Sequence, residues 1–445
     1  MTTATVGLSM QPAIDASRWP DLTARRAKVR QAVEGAVARR IFLSAARRLP
    51  VRIQLGREAI VGGAAVDPQA PLMVIDRPDS FFATLGAGGL IGFGESYMAG
   101  DWHADDLGGL LEVFAAQMGT LIPEPLQKLR AFYVARAPHT EKNTTQNTRT
   151  NIARHYDLSN DMFATFLDGT LSYSSALFTG DERSGRAVAG EAVTTSTPAA
   201  APVWDDLANA QRKKVDRMLD SAGVGEGSRV LEIGTGWGEL AIRAAARGAT
   251  VVSVTLSSEQ RALARERIAA AGYADAVSVE LLDYRLVEGK FDAIVSVEMI
   301  EAVGHQYWGE YFRKIDSLLA PGGKVAIQAI TMPHDRMLAT RYTYTWINKY
   351  IFPGGFLPST EAIVDVNREQ TSLRVSERLS FGQHYAETLR LWDERFLASL
   401  DRVHQLGFDE VFDRMWHFYL EYSRAGFRSG YLDVQQLVLE RETGR

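Results

Sequence analysis

The sequence predicts an α/β fold, in which a doubly wound, mostly parallel sheet with helical additions follows a smaller mixed α+β domain. Two observations carry this prediction. From residue 204 onward, short apolar segments alternate with helical ones, which is the pattern of a parallel sheet with helices on both faces. The chain has 445 residues, which is too long for one ordinary core and indicates two domains.

The larger predicted domain contains this regular alternation. A helix through Lys213 and Met218 is followed by strands at 229–233, 250–254, 277–281 and 291–297, with helices at 240–247 and 258–271 between them. Further helices are expected around 335–370 and 385–425. Strands that are joined by helices in this way form a parallel sheet.

The smaller domain and the connecting segments are predicted from weaker signals. Strand-like segments at 51–55 and 72–75 and a glycine-rich stretch at 85–114 indicate small elements joined by turns. Two polar segments lack a core-forming pattern: 138–151, and 184–202, which is rich in Ala, Thr, Ser and Pro. We therefore predict a small domain at 1–137 that could bind a lipid surface or the substrate, a linker at 138–151, and a larger domain at 152–445 with a mobile insertion at about 184–202.

Composition excludes several classes of function. The formal net charge of −5 argues against a nucleic-acid partner, and the absence of cysteine excludes disulfides, thiolate metal sites and thiol nucleophiles. The eight histidines form no His-x-x-x-His pair with a carboxylate, so no metal is predicted. No apolar run is long enough to cross a bilayer and no secretory signal is visible, so we expect a cytoplasmic protein.

A basic segment near the N-terminus is the exception to this acidic balance. Between residues 21 and 52, only Asp21 and Glu34 oppose a set of arginines and one lysine. The basic residues are Arg25, Arg26, Lys28, Arg30, Arg39, Arg40, Arg47, Arg48 and Arg52. A stripe of β-branched residues that recurs every four positions (Val29, Val33, Val37, Ile41) predicts an amphipathic helix. This helix has either a solvated basic face or a surface that contacts anionic lipid headgroups at the inner face of the membrane.

The sharpest local motif is VLEIGTGWGEL at 230–240. A hydrophobic strand leads into Gly234, Gly236 and Gly238, which allow a tight turn with positive φ and a close approach of a ligand. The helix that follows offers free N–H groups and the positive end of its dipole. Glu239 stands where a dinucleotide motif has its third glycine, so the turn favours S-adenosylmethionine; a structural turn or another nucleotide is the alternative.

Polar residues follow the next two predicted strands. Thr255, Ser257 and Gln260 stand where many nucleotide-binding folds carry an acid for the ribose hydroxyls, although Ser257 could simply cap a helix. Asp283 and Tyr284 could accept from the adenine amino group and stack beside the ring, or could be ordinary loop residues. Neutral polar groups can also bind a diol, so the prediction of this cofactor stands.

A series of ordered motifs spans most of the chain: GFGESYMAGDW, HYDLSNDMF, LSYSSALF, VLEIGTGWGELA, VTLSSEQ, LLDYR, SVEMIEAVG, WINKYIFPGGFLPS, HYAETLRLWDERF and FRSGYLD. Together they closely resemble the cyclopropane-fatty-acid synthase family. Within it, EIGTGWGELA, SVEMIEAVG and AIQAITMPHDRMLATR are most similar to the mycobacterial tuberculostearic-acid methyltransferases, which act on oleoyl chains. The resemblance implies a Rossmann-like methyltransferase sheet and S-adenosylmethionine as the cofactor.

The resemblance also implies which residues bind that cofactor. Tyr173 and Ser174 would hold its methionine end together with Gly234 and Gly236. The adenosine would be bound by Thr255, Leu256 and Gln260 at the ribose and by Asp283 and Tyr284 at the adenine.

Relatives in this family hold a bicarbonate ion that serves as the base. The corresponding positions here are Ser175, Glu301, Gln328, the backbone of Ile330, and Tyr385. The family usually has Cys at 175 and His at 328, and cyclopropane formers typically have His at 302, where this chain has Ala302. These departures favour a branched product over a ring.

The predicted reaction adds a methyl group to an alkene of a phospholipid acyl chain and leaves a carbocation, which loses a proton to a base. Glu301 and Tyr385 would position bicarbonate, or Glu301 would act directly; a helix-capping glutamate and a core tyrosine are the alternatives. A hydride shift before proton loss gives a 10-methylene chain, which a separate reductase could saturate. The competing predictions are a cyclopropane-fatty-acyl-phospholipid synthase and a lipid-binding protein with an inactive methyltransferase fold, and the chain could form a homo-oligomer.

Overall fold

The computed structural model describes residues 8–23, 28–117, 159–186 and 191–442. The predicted linker at 138–151, the first residues of the HYDLSNDMF motif, and Arg25 and Arg26 of the basic segment lie outside these residues. The chain divides into two units, each with its own sheet.

The described helices and strands are numbered in chain order. The helices are α1 (Pro20–Thr23), α2 (Lys28–Ala46), α3 (Pro78–Gly88), α4 (Leu90–Met98), α5 (Leu107–Ala116), α6 (Asn160–Phe163), α7 (Trp204–Ser221), α8 (Glu239–Ala246), α9 (Ser258–Ala270), α10 (Ile300–Val303), α11 (Trp308–Leu318), α12 (His334–Thr340), α13 (Trp346–Tyr350), α14 (Thr360–Gln370), α15 (Gly382–Leu397), α16 (Leu400–Gln405) and α17 (Glu410–Arg428). The strands are β1 (Arg52–Leu55), β2 (Leu72–Ile75), β3 (Trp102–Ala104), β4 (Gly180–Arg186), β5 (Ala192–Pro198), β6 (Arg229–Ile233), β7 (Thr250–Thr255), β8 (Val277–Leu281), β9 (Phe291–Val297), β10 (Leu319–Thr331), β11 (Leu373–Ser380) and β12 (Asp433–Arg441).

The N-terminal unit contains a three-stranded sheet in which β1 and β2 are parallel and β3 is antiparallel to β2. It combines residues 1–135 with 344–349 and 392–431, and therefore includes α17. The buried guanidinium of Arg414 on α17 donates to the backbone carbonyls of Tyr97 and Trp102, at 2.6 and 2.9 Å. The expected boundaries, 1–137 and an unbroken 152–445, are therefore wrong in one respect. Two later segments complete the core of the first unit through contacts that a local sequence pattern does not reveal.

The second unit contains a nine-stranded sheet in the order β4-β5-β11-β12-β10-β9-β6-β7-β8. Strands β8, β7, β6, β9 and β10 run parallel, whereas β12 is antiparallel to both β10 and β11. Successive side chains of a strand point to opposite faces. Val230 of β6 accordingly packs among residues of α7, α8 and α9, and Leu231 among residues of α11 and α14. The doubly wound, mostly parallel fold class and the small mixed N-terminal sheet are thus confirmed.

Four of the five parallel strands coincide with predicted ones, whereas β10 was not predicted. Strands β6, β8 and β9 have the predicted bounds, and β7 is one residue longer than predicted. The expected helical additions are α12 to α14 and α15 to α17. Apolar runs bounded by glycine and polar turns are therefore a sufficient signal in this part of the chain.

The segment at 184–202 differs from the mobile, irregular insertion that its composition predicts. Its described residues contribute to an antiparallel pair, β4 and β5, and β5 also pairs in parallel with β11. Ser196 is buried, and its Oγ lies 3.0 Å from Nε2 of His384. The prediction of an irregular segment is therefore wrong here. Valine and threonine favour strands, and pairing with two neighbours compensates for the low hydrophobicity.

The predicted basic helix is present as α2, but the predicted apolar stripe is not its buried face. Val33, Val37 and Ile41 are 61%, 55% and 39% exposed. The helix instead packs on α3 through other positions; the Phe42 ring centroid lies 5.3 Å from that of Phe81. None of the described helices is long and apolar enough to cross a bilayer.

Candidate active site

The segments that carry the predicted site residues meet at the carboxyl-terminal edge of the parallel strands. Strand β6 ends at Ile233, and Thr255 at the end of β7 pairs with Leu281 at the end of β8. Val297, at the end of β9, pairs with Gln328 of β10. Ligands of open α/β sheets bind at this edge. The strand register alone therefore brings the residues that follow β6, β7, β8 and β9 together.

The glycine turn lies directly after β6. Gly234 has φ +98° and Gly236 has φ +51°, values that other residues rarely adopt. A Cβ on Gly234 would lie 2.5 Å from Cγ of Met299, whereas a Cβ on Gly236 would have no neighbour within 4 Å. Gly234 is thus required where the turn packs against the segment after β9, and Gly236 borders open space that a ligand can fill.

Tyr173 and Ser174 lie on the segment before β4. Ser174 is buried, and its Oγ accepts a hydrogen bond from Nζ of Lys214 at 2.6 Å. The Tyr173 ring packs edge-on to Phe163 with 5.1 Å between the ring centroids. Burial lowers the pKa of Lys214 to about 8, so the ammonium group remains mostly charged at neutral pH. Sequence analysis missed this lysine, because it is one of four basic residues in the stretch 212–217 and nothing in the letters shows which of them is buried.

Thr255, Leu256 and Gln260 surround the turn between β7 and α9. Thr255 and Gln260 are buried, and the Thr255 hydroxyl donates to Oε1 of Gln260 at 3.1 Å. Ser257 caps α9 by accepting the Gln260 N–H at 3.1 Å, as the structural alternative for this serine predicts. A hydroxyl and an amide placed together at this turn can hydrogen-bond a ribose diol without a carboxylate, which fits an adenosyl group.

Asp283 and Tyr284 follow β8, at the same edge of the sheet. The Asp283 carboxylate accepts the backbone N–H of Arg285 at 3.0 Å and pairs with its guanidinium at 2.6 Å. The Tyr284 ring packs edge-on to Tyr311, with 5.3 Å between centroids. Each of these residues thus has a partner within the protein, and their assignment to the adenine stays a prediction.

Glu298 directly follows β9 and is a carboxylate that sequence analysis did not single out. Its Oε1 accepts hydrogen bonds from the Ser175 N–H at 3.0 Å and from Nε2 of Gln328 at 2.8 Å. Its Oε2 accepts from the Tyr385 hydroxyl at 2.8 Å. Burial raises the pKa of Glu298, and the positive charge of Lys214 and these three donors offset only part of that rise. The available signal was its place within the SVEMIEAVG motif, which also contains a predicted acid.

That predicted acid, Glu301, lies in α10. Its Oε1 accepts the backbone N–H of Ile330 at 2.5 Å. Its Oε2 is buried and has no hydrogen-bond partner within the described part of the chain. Burial, together with repulsion from Glu298, raises the pKa of Glu301 to about 8. The Glu301 carboxyl is therefore mostly protonated at neutral pH, whereas an ordinary glutamate is ionised.

The residues expected to hold bicarbonate lie together, but their donors are already engaged. Three donors bind the Glu298 carboxylate, and the fourth, the Ile330 N–H, binds Glu301. Oε1 of Gln328 accepts from Gln436 at 3.0 Å, which fixes the orientation of the Gln328 amide. A separate bicarbonate ion therefore does not fit this set of donors. Among the described residues, no group of three or more His, Cys, Asp or Glu is arranged to hold a metal ion.

Comparison with known proteins gives consistent relatives. Residues 143–437 match the model of a family described as mycolic acid cyclopropane synthetase. The tuberculostearic acid methyltransferase UfaA1 of Mycobacterium tuberculosis is 52% identical over 440 residues, which cover 98% of this chain and 99% of the relative. The cyclopropane-fatty-acyl-phospholipid synthase of Escherichia coli is 31% identical over 393 residues, which cover 85% of this chain and 90% of the relative.

Solved structures give the same picture for about two thirds of the chain. The cyclopropane synthase MmaA2 from Mycobacterium tuberculosis matches with a TM-score of 0.56 and 29% identity, over 68% of this chain and 98% of that one. The mycolic acid cyclopropane synthase CmaA1, complexed with SAH and CTAB, matches with a TM-score of 0.56 and 29% identity, over 68% of this chain and 99% of that one.

Proposed function

The chain belongs to the mycolic acid cyclopropane synthetase family, and on this premise we propose that it is an S-adenosylmethionine-dependent methyltransferase that methylates the double bond of an oleoyl chain in a phospholipid. The observation that carries the proposal is a pair of largely buried glutamate side chains, Glu298 and Glu301, beside the glycine turn after β6. Met299 lies between the two glutamates in the sequence and packs against the turn, because its Cγ lies 2.5 Å from the position that a Cβ on Gly234 would take. The turn would bind the cofactor, and the Glu298 carboxylate would lie close to the positive charge that a methylated alkene acquires.

The cofactor, when bound, supplies an electrophilic methyl group on a sulfonium ion. Its methionine end would be held by Tyr173 and Ser174 at the glycine turn, its ribose by Thr255, Leu256 and Gln260, and its adenine by Asp283 and Tyr284. An alkene is a weak nucleophile, so the chain must hold the double bond in line with the methyl group and exclude water.

The proposed product is a 10-methylene chain, which a separate reductase would saturate to the 10-methyl chain. Methyl transfer uses the π electrons of the alkene and leaves a carbocation on the neighbouring carbon. A hydride shift followed by loss of a proton from the new methyl group gives the methylene, whereas direct closure gives a cyclopropane. Gln328 and Ala302 stand where ring formers carry histidine, and the relative with 52% identity is named for tuberculostearic acid; both observations support the branch.

The experiment that tests this proposal is analysis of lipids after reaction with methyl-labelled S-adenosylmethionine. The purified protein is incubated with dioleoyl phospholipid vesicles, and the acyl chains are released for mass spectrometry. We expect one labelled CH₂ per modified chain. Ozone cleaves a methylene product and leaves a cyclopropane intact, so the cleavage pattern separates the two products.

Unchanged lipids would contradict the catalytic proposal. A calorimetric titration with S-adenosylmethionine then distinguishes the remaining cases. A protein that neither binds the cofactor nor changes the lipid would fit a lipid-binding protein with an inactive methyltransferase fold.

We also propose that the exposed stripe of α2 contacts an anionic lipid surface. The stripe consists of Val33, Val37 and Ile41, which are 61%, 55% and 39% exposed, and the arginines Arg40 and Arg47 nearby in the sequence are exposed as well. Apolar side chains beside cationic ones suit the boundary between headgroups and acyl chains.

Binding to vesicles with and without anionic lipid tests this contact. We expect Val37→Asp to weaken binding to anionic vesicles at least about fivefold, because a buried carboxylate is repelled and desolvated there. Val66→Asp is the matched control, since Val66 is 97% exposed and lies outside the helix. Unchanged vesicle binding by the Val37 variant would contradict the contact, and a simultaneous loss of self-association would instead assign this face to a homo-oligomer.

A further inference from the structure

A carboxylate of the chain itself lies where the donors of the active site converge. The Ser175 N–H, the Gln328 amide and the Tyr385 hydroxyl reach Glu298 at 3.0, 2.8 and 2.8 Å. The donors come from three separate parts of the fold, since Gln328 lies in β10, Tyr385 lies in α15, and Ser175 is buried in the segment before β4. Charge-assisted hydrogen bonds of this kind are strong and hold an anion in a fixed orientation.

The backbone at Glu298 adds a second observation. Its φ is +51°, and among the described non-glycine residues only Leu171 shares a positive φ. A non-glycine residue in this region costs on the order of 1 kcal/mol or more. Glycine would relieve that cost but would remove the carboxylate from its three donors. The three hydrogen bonds to the Glu298 carboxylate therefore offset the backbone strain.

Glu298 and Glu301 are not equivalent. Glu298 accepts hydrogen bonds from three other residues and is attracted by the Lys214 ammonium group, whereas Glu301 accepts one such bond, from the Ile330 N–H. Negative charge is consequently better stabilised on Glu298. Two acids whose surroundings differ in this way commonly take different roles, one as the anion and the other as the protonated acid.

We propose that the Glu298 carboxylate is the built-in anion of this site and acts as the base in place of dissolved bicarbonate. This inference rests on the proposed function. Once the methyl group has left sulfur and bonded to the acyl carbon, and a hydride has shifted, the carboxylate removes a proton from the new methyl group. The electron pair of that C–H bond becomes the C=C bond of the methylene group and neutralises the cation. Glu298 holds the proton as a carboxylic acid until the product leaves, and then releases it to solvent.

The first test is the dependence of the native protein on bicarbonate. Turnover of dioleoyl phospholipid vesicles is measured in buffer freed of carbon dioxide, with and without added sodium bicarbonate. We expect the two rates to agree within about 1.5-fold, because the donors are occupied by Glu298. A rate that rises severalfold with bicarbonate would overturn the inference and leave the proposed function intact. Absence of turnover in every buffer would instead reject the proposed function.

The second test removes the Glu298 carboxylate, so that its three hydrogen-bond donors lose their acceptor. Glu298→Gly suits the positive φ and should fold; we expect it to lose at least about a hundredfold in rate, which is the usual contribution of a general base. Sodium bicarbonate or sodium formate should then restore at least about tenfold, because either anion can occupy the released donors. Glu298→Gln should lose the same activity without restoration, since the amide fills the space.

Two controls make these outcomes decisive. Thermal unfolding and calorimetric binding of S-adenosylmethionine establish that each variant is folded and binds the cofactor, and Glu288→Gly changes an exposed glutamate in the turn before β9 and should leave turnover unchanged. A folded Glu298→Gly protein that keeps the native rate without added anion would overturn the inference. A folded Glu298→Gly protein that binds the cofactor but whose turnover is restored by neither bicarbonate nor formate would also overturn the inference.

Discussion

Replacing Glu301 with glutamine tests whether this carboxyl is protonated in the folded protein. Burial and the neighbouring Glu298 raise the pKa of Glu301 from 4.5 to about 8. Between these two values the folded protein keeps a proton that the unfolded chain has released. The free energy of unfolding of the native protein should therefore fall as pH rises from about 4.5 to about 8. Glutamine cannot ionise, so the variant loses this dependence.

The size of the effect follows from the displacement of the pKa. A change from 4.5 to about 8 corresponds to at most about 5 kcal/mol. Glu301 retains partial exposure, so solvent screens part of this, and we expect about 2–4 kcal/mol. Glu232, another buried glutamate whose pKa is raised to about 8, is present in both proteins, and its contribution cancels in their difference.

The assay is urea unfolding at about pH 5, 7 and 9, followed by tryptophan fluorescence. At about pH 5 the variant should be as stable as the native protein or slightly less so. By about pH 9 it should have gained about 2–4 kcal/mol relative to the native protein. The exposed Glu288→Gln variant serves as the control and should follow the native curve. Parallel curves for the native and Glu301→Gln proteins would show that the carboxyl is ionised throughout, and would refute the reasoning.

Three further substitutions probe other parts of the structure. Gly234→Ala places a Cβ 2.5 Å from Cγ of Met299 at a φ of +98°, so the calorimetric Kd for S-adenosylmethionine should rise at least about tenfold; an unchanged Kd would contradict the role of the turn. Arg414→Met removes one donor from the buried carbonyls of Tyr97 and Trp102 and from the part-buried carbonyl of Ser9. The free energy of unfolding should fall by about 3–5 kcal/mol in a urea titration, and a loss below about 1 kcal/mol would argue against this. Burial lowers the pKa of His384 to about 4, so the free energy of unfolding of the native protein should fall as the pH drops from 6.5 towards about 4. In His384→Gln this dependence on pH should be weaker. An equally steep fall in the variant would count against a neutral buried histidine.

The parallel sheet could be predicted from the sequence because its signals are local. Strands β6, β7, β8 and β9 are short apolar runs bounded by glycine or polar residues, and the predicted bounds of β6, β8 and β9 agree with the structure to the residue. Strand β10 is longer, has a proline and two glycines near its start, and was not predicted. The hairpin of β4 and β5 could not be predicted in the same way. Its strands have little hydrophobicity of their own, and pairing with β11, far along the chain, completes them.

The candidate site could likewise be predicted only in part from the sequence. Glu301 and Tyr385 were identified by motif, and both lie at the carboxyl-terminal edge of the sheet with Glu298. Glu298 itself stands in a quoted motif, yet nothing in the letters reveals a positive φ or three donors from distant segments. Lys214 was missed for a related reason, because its burial against Ser174 depends on how α7 packs.

The division of the N-terminal unit along the chain has a consequence for synthesis of the protein. The hydrogen bond from Arg414 to the Tyr97 carbonyl joins residues that are 317 positions apart. At ribosomal rates of about 5–20 residues per second, the second partner is made roughly 15–60 s after the first. The segment that contains Tyr97 therefore waits for Arg414 before its core is complete. During that interval the apolar side chains of this unit lack the partners that α17 later supplies. A truncated chain that ends near residue 137 would remain permanently in that state.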